Sequence, residues 1–409
     1  MLSAAMKDNK LNHNVCLLNA KEQGFRLSRI YEGMKHIGVN DAIVRSNSNI
    51  YYLTGRVFRG YIFISRKLSA PVYFVRQPST LCAEATDILH HIRKPEEIPA
   101  LLAADGIAVG ESVALELDGI CYSEAQRLAK AMGMATPAAN LSPVLRYARQ
   151  VKTPYEQELL IRSGEKQSLV YQRIPHLYQE GMSDIEFQIE IERASRLEGC
   201  LGIFRIGGGE MELFMGNVLT GENADTPSPY DFAMGGAGMD PSIPVGANGT
   251  IIKPGIPVMV DVNGNYTGYM TDMTRMYYCG ELSDKVLKAN KLSVAICDEL
   301  ATMMIPGTKA SELYERALAM ATEAGMAEYF MGHRSHAGFV GHGIGIEVNE
   351  GPVLAPRSKD ILEAGNVIAV EPKFVIPGIG AVGIENTYIV ENKGGKVITT
   401  VSQEPIRLD

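Results

Sequence analysis

Asp261 and Asp272 stand inside a stretch, residues 258–278, whose β-branched and alternating apolar residues otherwise predict a β-hairpin. Two reversals of the chain could close it. A turn at residues 263–264 leaves Asp272 roughly 20 Å away from Asp261. A turn over residues 265–268 makes the two acids direct cross-strand partners, with Cβ atoms about 5 Å apart. Like charges at that distance destabilise a strand pair unless a cation lies between them, and a divalent ion would serve.

A second acidic pair repeats this pattern further along the chain. Glu371 and Glu385 lie in residues 367–390, where two β-rich runs flank a turn signal at residues 377–380. An odd-length loop centred on Gly378 places the two glutamates directly opposite each other. Four carboxylates buried together would be prohibitive in free energy without cations. The two hairpins therefore predict a site for divalent ions.

One histidine lies between the two hairpins in a setting that suits a metal ligand. His342 is flanked by small residues in the segment FVGHGIG, residues 339–345, which leaves room for a ring nitrogen to approach an ion. Four carboxylates and one imidazole form an oxygen-rich ligand set, which suits Mn, Co, Fe or Zn better than a soft metal. Two bridging carboxylates can hold a pair of ions about 4 Å apart.

Composition and charge exclude several classes of protein. The chain has 409 residues, enough for two domains, with 46% hydrophobic and 21% charged residues. A net charge of −8 without a basic block argues against nucleic-acid binding. No apolar run reaches membrane-spanning length, and the polar N-terminus lacks the apolar core of a signal peptide. The six scattered cysteines are expected to be reduced thiols, which favours a cytoplasmic location.

The chain is predicted to form two domains, residues 1–150 and 151–409. Helical and strand-like runs alternate in the first, which predicts an α/β domain. The run IYYLTG, residues 50–55, is predicted to be one of its strands. The neighbours His90 and His91 are interpreted as a feature of a helix surface rather than as metal ligands.

The second domain is predicted to contain the same order of elements twice. Helices expected over residues 154–178 and 184–197 precede the first acidic hairpin, and helices over 283–304 and 310–324 precede the second. Capping signals at Thr153 and Ser183 support the first two helices. This recurrence predicts two similar halves that bring their hairpins to one centre.

Three segments, read in order, resemble the pita-bread metallopeptidases, which include aminopeptidase P, prolidase and methionine aminopeptidase. They are VDVNGNYTGYMTDMTR, GHGIGIEVNEGP and VEPKF…VGIENT. Residues 1–150 resemble the creatinase-type N-terminal domain, with YYLTG as the best local match. The resemblance implies an α/β (α+β) fold, with a C-terminal pita-bread domain of pseudo-twofold halves, and a homodimer. It also implies five ligands to two divalent ions (Mn, Co, Zn or Fe): Asp261, Asp272, His342, Glu371 and Glu385.

The same resemblance implies a catalytic mechanism and a substrate. Asp272 and Glu385 would bridge the ions, and Glu371 and His342 would act in catalysis, with Glu371 assisting the nucleophilic water. The expected function is hydrolysis of short peptides, with a preference for Xaa-Pro bonds. No nucleic acid or membrane partner is expected.

The chain departs from the family pattern at positions that usually face the substrate. Val245 and Asn349 stand where the family often has histidine, and Gly383 stands where it often has arginine. Lys373, two residues after Glu371, either recognises a substrate carboxylate or points outward. Val245, Asn349 and Lys373 are therefore candidate substrate contacts. These departures motivate an alternative function, a metal-dependent hydrolase or lyase acting on a small non-peptide molecule.

Two further histidines are close in sequence to the proposed ligand. His333 and His336 precede His342. They are candidates to replace, in space, the histidines that the family pattern leads one to expect.

Overall fold

The structure, a computed structural model, describes residues 12–84, 87–207, 214–230 and 232–408. The chain divides into two compact units, Met1–Arg149 and Gln150–Asp409, next to the domain boundary proposed above. The first eleven residues, on which the expected lack of a signal peptide rests, lie outside the described part. Across the described ranges, no helix is both long and apolar enough to cross a membrane.

A five-stranded mixed sheet forms the centre of the first unit, in the order β4-β3-β2-β1-β5. Its strands are β1 (Asp41–Val44), β2 (Arg59–Ser65), β3 (Val72–Gln77), β4 (Ile88–His91) and β5 (Val113–Leu115). The helices of this unit are α1 (Ala20–His36), α2 (Asn47–Thr54), α3 (Ile98–Ala104), α4 (Tyr122–Ala131) and α5 (Ser142–Gln150). Buried apolar side chains from the strands and from α3 and α4 form its core.

Two of the sequence predictions for this unit are wrong. The run at residues 50–55 belongs to helix α2, because Ser46 caps its N-terminus and Gly55 ends it in a left-handed conformation with φ 71°. His90 and His91 lie on strand β4, where His90 Nε2 is 2.6 Å from a carboxylate oxygen of Asp105. At residues 50–55, the two helix caps, Ser46 and Gly55, outweigh the β-rich composition that led to the strand prediction.

The helices of the second unit begin where the capping signals predict. Thr153 and Ser183 each form a reciprocal capping box with the glutamate three residues later. The first helix ends at Arg173, earlier than predicted, and a 3-10 turn (Ile174–Leu177) follows because Pro175 cannot donate a helical hydrogen bond. The helices are α6 (Pro154–Arg173), α7 (Asp184–Glu198), α8 (Asp284–Met303) and α9 (Ala310–Glu323).

Two sheets of the second unit have a similar arrangement of strands. Each sheet contains an antiparallel hairpin among its inner strands. In the first sheet, with strand order β18-β10-β7-β6, the hairpin is formed by β7 (Val258–Val262) and β10 (Thr274–Tyr278). In the second sheet, with strand order β12-β11-β13-β16-β17, it is formed by β13 (Val367–Val370) and β16 (Asn386–Glu391). A two-stranded extension continues each hairpin, β8/β9 in the first and β14/β15 in the second. The strands are β6 (Gly216–Thr220), β7 (Val258–Val262), β8 (Gly264–Asn265), β9 (Met270–Thr271), β10 (Thr274–Tyr278), β11 (Gly341–Gly343), β12 (Glu350–Val353), β13 (Val367–Val370), β14 (Lys373–Ile376), β15 (Gly380–Gly383), β16 (Asn386–Glu391), β17 (Gly394–Val397) and β18 (Ile406–Arg407). Helices and mixed sheets together confirm the predicted α/β (α+β) class.

The register of the first hairpin differs from both predicted alternatives. Asn265 pairs with Met270, so the chain reverses close to the second predicted turn. Asp261 nevertheless pairs with Thr274, two residues beyond Asp272. The two acids are thus diagonal neighbours rather than direct partners. On an antiparallel ladder, such positions share one face of the sheet.

The register of the second hairpin is the predicted one. Lys373 pairs with Gly383 and Ile376 with Gly380, so a three-residue loop centred on Gly378 closes the extension. Below the extension, Val370 pairs with Asn386 in the same register. Glu371 and Glu385 fall opposite each other between these pairs.

A buried ion pair holds the segment that follows His342. Lys152 Nζ lies 2.9 Å from Glu350 Oε2, and both side chains are almost fully buried. The other carboxylate oxygen of Glu350 accepts hydrogen bonds from the backbone N–H groups of Ile346 and Glu347. These contacts fix the loop between β11 and β12.

Replacing Lys152 with methionine should lower the free energy of unfolding by roughly 3 kcal/mol, because it removes the ammonium group that lies 2.9 Å from the buried Glu350 carboxylate. The shift of the urea unfolding midpoint, followed by circular dichroism, measures this loss. Lys309→Met is the matched control, since the Lys309–Glu312 pair is exposed and 3.7 Å apart. An equal, small effect of both substitutions would show that the buried pair does not stabilise the fold.

Candidate metal centre

The two hairpins meet at Thr274 and Glu385. The backbone N–H of Glu385 donates to the carbonyl oxygen of Thr274 at 3.1 Å. The Thr274 hydroxyl donates to Glu385 Oε2 at 2.8 Å. This bridge joins the acid-bearing strands of the two sheets.

A reciprocal contact joins the hairpins from the other side. The hydroxyl of Thr387 donates a hydrogen bond to the carbonyl oxygen of Asp272 at 2.8 Å. The same hydroxyl accepts a hydrogen bond from the backbone N–H of Asp272 at 3.3 Å. Each threonine stands two residues after an acid, in Asp272-Met273-Thr274 and Glu385-Asn386-Thr387. The threonines were missed in the sequence analysis, although this repeated acid-x-Thr pattern was a usable signal.

The five predicted ligand residues come together in two overlapping groups. Oxygen or nitrogen atoms of Asp272, His342 and Glu385 lie within 4.8 Å of one another. Oxygen atoms of Asp261, Glu371 and Glu385 satisfy the same limit. Glu385 belongs to both groups. We call the first the histidine triad and the second the carboxylate triad.

Lys373 points into the carboxylate triad. Its Nζ lies 2.8 Å from Asp261 Oδ2, 2.7 Å from Glu371 Oε2 and 3.6 Å from Glu385 Oε2. The side chain is fully buried. Of the two orientations left open by the sequence, an outward-pointing Lys373 is therefore wrong. Its ammonium group contacts carboxylates of the chain itself.

Burial and crowding perturb the acids of the site. Burial raises the pKa of Asp272 well above its usual value, and the charges of Asp261 and Glu371 raise it further. Burial likewise raises the pKa of Glu385, with Asp272 and Glu371 adding to the effect. Burial alone would lower the pKa of Lys373, but the surrounding carboxylates outweigh it and raise that pKa well above its usual value. The acids thus require positive charge beside them.

His342 presents one ring nitrogen to the site. Its Nδ1 lies 3.0 Å from the carbonyl oxygen of Gly343, and its Nε2 lies 3.5 Å from Glu371 Oε1. A backbone carbonyl on one nitrogen of a histidine fixes the ring and leaves the other nitrogen available to a metal. Strand β11, which carries His342, pairs with β13 directly before Glu371.

The histidine triad suits a divalent ion. Glu385 Oε1 is buried and has no hydrogen-bond partner among the described residues. A buried carboxylate oxygen without a partner is costly, and a cation would remove that cost. Two carboxylates and one imidazole are ligands that Mn, Co, Fe and Zn accept.

The carboxylate triad is different, because a cation of the protein already lies within it. Any ion there would compete with the Lys373 ammonium for oxygens of Asp261 and Glu371. The five ligands that the sequence predicts as one set therefore form two different groups, because the carboxylate triad already contains the Lys373 ammonium group.

The other predicted substrate contacts lie in ordered surroundings. Val245 is buried, with 1% of its surface exposed. The Asn349 amide exchanges two hydrogen bonds with the backbone of Gly207, donating to its carbonyl oxygen at 2.9 Å and accepting from its N–H at 2.7 Å. Asn349 thus fastens the segment at Gly207 to the loop after His342.

His333 and His336 line a small cavity of about 90 Å³, together with Tyr230, Phe232 and Val375. His333 Nδ1 lies 2.9 Å from Asp225 Oδ2, and His336 Nδ1 lies 3.0 Å from the carbonyl oxygen of Phe330. Neither belongs to the two metal-binding groups found in the described part of the chain.

Comparisons with known proteins agree with this architecture. The sequence profile of metallopeptidase family M24 matches residues 158–392, more than half of the chain. The profile of the creatinase/prolidase N-terminal domain matches residues 26–151.

Individual relatives match over nearly their whole length. A Xaa-Pro dipeptidase of Lactobacillus delbrueckii subsp. lactis is 26% identical over 92% of this chain and 97% of its own. A Xaa-Pro dipeptidase of Pyrococcus horikoshii is 24% identical over 93% of this chain and 98% of its own. The solved structure of a Xaa-Pro dipeptidase from Bacillus anthracis superposes with a TM-score of 0.77 and 25% identity, covering 95% of this chain and all of the other.

These matches confirm the pita-bread resemblance, including the creatinase-type N-terminal domain. The chain belongs to metallopeptidase family M24 and is a metal-dependent peptidase.

Proposed function

We propose that this peptidase hydrolyses Xaa-Pro bonds in short peptides, with Xaa-Pro dipeptides as its preferred substrates. Asp261, Asp272, His342, Glu371 and Glu385 form the proposed metal site. The observation that carries this proposal is the histidine triad of Asp272, His342 and Glu385, in which Glu385 Oε1 is buried and has no hydrogen-bond partner among the residues that the structure describes. The substrate class is supported by the two relatives described above, which are Xaa-Pro dipeptidases.

The proposed mechanism uses side chains that lie within reach of the triad. A divalent ion bound there supplies Lewis acidity and an activated water. Glu371 faces His342 with one carboxylate oxygen and Lys373 with the other, so its orientation is fixed. We assign Glu371 the transfer of a proton from the attacking water to the leaving amine. His342, with Nδ1 against a backbone carbonyl, keeps Nε2 directed at the site.

The cavity beside His333 and His336 is our candidate for the substrate pocket. Val375 lies two residues after Lys373 on β14, so the two side chains share a face of that strand. Aromatic side chains line this small cavity together with polar ones that include Asp225 and Ser335, so it offers a compact ring both ring contacts and hydrogen bonds. We keep Val245 and Asn349 as proposed contributors to the shape of the site. Neither side chain can transfer a proton.

The alternative, hydrolysis or lysis of a small non-peptide molecule, rests on the residues Val245, Asn349 and Gly383. We place it second because the two relatives from Lactobacillus delbrueckii and Pyrococcus horikoshii, which match over nearly their whole length, are Xaa-Pro dipeptidases. The metal is proposed to be Mn, Co, Zn or Fe from the ligand types. The homodimer stays a prediction.

We also propose a cytoplasmic location. All six cysteines have free thiols, and two of them, Cys82 and Cys121, are exposed. Exposed thiols persist in a reducing compartment.

The metal-loaded protein should release free proline from Xaa-Pro dipeptides, and chelation followed by dialysis should abolish this activity. Proline release measured by chromatography gives the rate, and Xaa-Ala dipeptides with the same first residue are the matched substrates. Equal turnover of both dipeptide series would refute the proposed preference. If neither dipeptide series is turned over and a small non-peptide molecule is consumed instead in a substrate screen, the alternative function would be favoured.

Glu371→Gln should lower kcat by about 10²–10⁴-fold, because the amide cannot accept the proton from water. Glu391→Gln is the matched control, since Glu391 is exposed at the end of β16. The ion content of both proteins is measured alongside the kinetics, which separates lost proton transfer from lost metal. Full activity of Glu371→Gln with its metal in place would remove Glu371 from the mechanism.

A further inference from the structure

The position of the Lys373 ammonium bears on how many ions the site holds. Nζ lies within hydrogen-bond distance of Asp261 Oδ2 and Glu371 Oε2, and 3.6 Å from Glu385 Oε2. These are the three residues of the carboxylate triad. The ammonium group therefore makes the contacts that a metal ion in this triad would make.

The backbone on both sides of Lys373 fixes this placement. Its carbonyl oxygen accepts from the N–H of Met331 at 2.8 Å, and its N–H donates to the Met331 sulfur at 3.4 Å. The cross-strand partner of Lys373 is Gly383. A Cβ atom at Gly383 would lie 2.9 Å from Lys373 Cα and 2.6 Å from the carbonyl oxygen of Pro372. The close approach of the two strands at this pair therefore requires a residue without a side chain at position 383.

Glycine at position 383 is consistent with this arrangement. Gly383 stands where the family pattern often has a cation, and Lys373 supplies one from the directly paired position on the other strand. From this position, the Lys373 side chain directs its positive charge into the carboxylate triad.

Charge balance allows a single ion beside this lysine but does not by itself decide between one ion and two, because the site keeps one unit of net charge in either case; the contacts of the ammonium group favour one ion. Asp261, Asp272, Glu371 and Glu385 carry one negative charge each when ionised. A single divalent ion and the Lys373 ammonium offset all but one of these charges. Two divalent ions would offset all of them, and the ammonium would become a surplus cation in a buried site.

We propose that this chain binds a single resident divalent ion in the histidine triad, and that the Lys373 ammonium replaces the second ion in the carboxylate triad. This inference rests on the metal site of the proposed function and departs from the expectation of two ions. Lys373 is then a positioning residue, which holds Asp261 and Glu371 in place of a metal. It is not a contact for the substrate carboxylate.

Metal stoichiometry tests the inference directly. The chelated full-length protein is dialysed to equilibrium against Mn²⁺ or Zn²⁺, and metal per chain is measured by mass spectrometry. The wild type should hold about one ion per chain. Lys373→Ala, which removes the ammonium group from the carboxylate triad, should hold about two. Lys396→Ala is the matched control, because Lys396 is exposed on strand β17, and it should hold the wild-type amount.

The outcomes separate this inference from the proposed function. Two tightly bound ions in the wild type would overturn the inference and leave the metal-dependent peptidase in place. No bound ion would overturn both. One ion in both the wild type and a folded Lys373→Ala would show that the lysine does not replace a metal.

A second measurement does not depend on the variant folding. The electron paramagnetic resonance spectrum of the Mn²⁺-loaded wild type should be that of an isolated ion at every loading. The signature of an exchange-coupled pair at saturating Mn²⁺ would refute the inference.

Discussion

The structure depends on the cost of enclosing several carboxylates in one place. Asp272, Glu371 and Glu385 are each no more than 5% exposed. Their charges repel one another, and burial removes the water that would screen them. Such a group can be stable only if positive charge is delivered to it, and Lys373 delivers part of that charge from within the chain.

The rest of the second unit serves to hold these acids in register. Each sheet supplies a hairpin, and each hairpin contacts the other through a threonine two residues after its acid. The contacts run in both directions, so neither acid strand can move without the other. The capped helices α6 and α8 each precede the sheet that carries an acidic pair. The recurrence of helices, strands and acids along the sequence thus has a direct counterpart in the way the site is held.

Much of this arrangement could be predicted from the sequence, because its signals are local. Capping boxes located the helix starts, and the loop at Gly378 set the register of the second hairpin. The register of the first hairpin was missed because it depends on the pairing of a separate extension, β8/β9, which the alternation of residues does not reveal. The residues at 50–55 were misassigned because their β-rich composition conceals two helix caps.

The orientation of Lys373 could not be predicted for a different reason. Strand β14 is buried on both faces, so alternation along it does not tell which side faces the acids. The pairing with Gly383 and the backbone contacts with Met331 decide the direction of the side chain. These are long-range contacts, and sequence spacing alone does not encode them.

The bridge between Thr274 and Glu385 also constrains biosynthesis. The two residues are 111 positions apart, and Glu385 belongs to the second acidic hairpin of the second unit. Contacts of such long range form late, after the intervening chain has been made. A ribosome-bound fragment that stops short of this hairpin lacks Glu371 and Glu385 and therefore has no complete centre. The bridge between the hairpins therefore cannot close before residue 385 has been added to the growing chain.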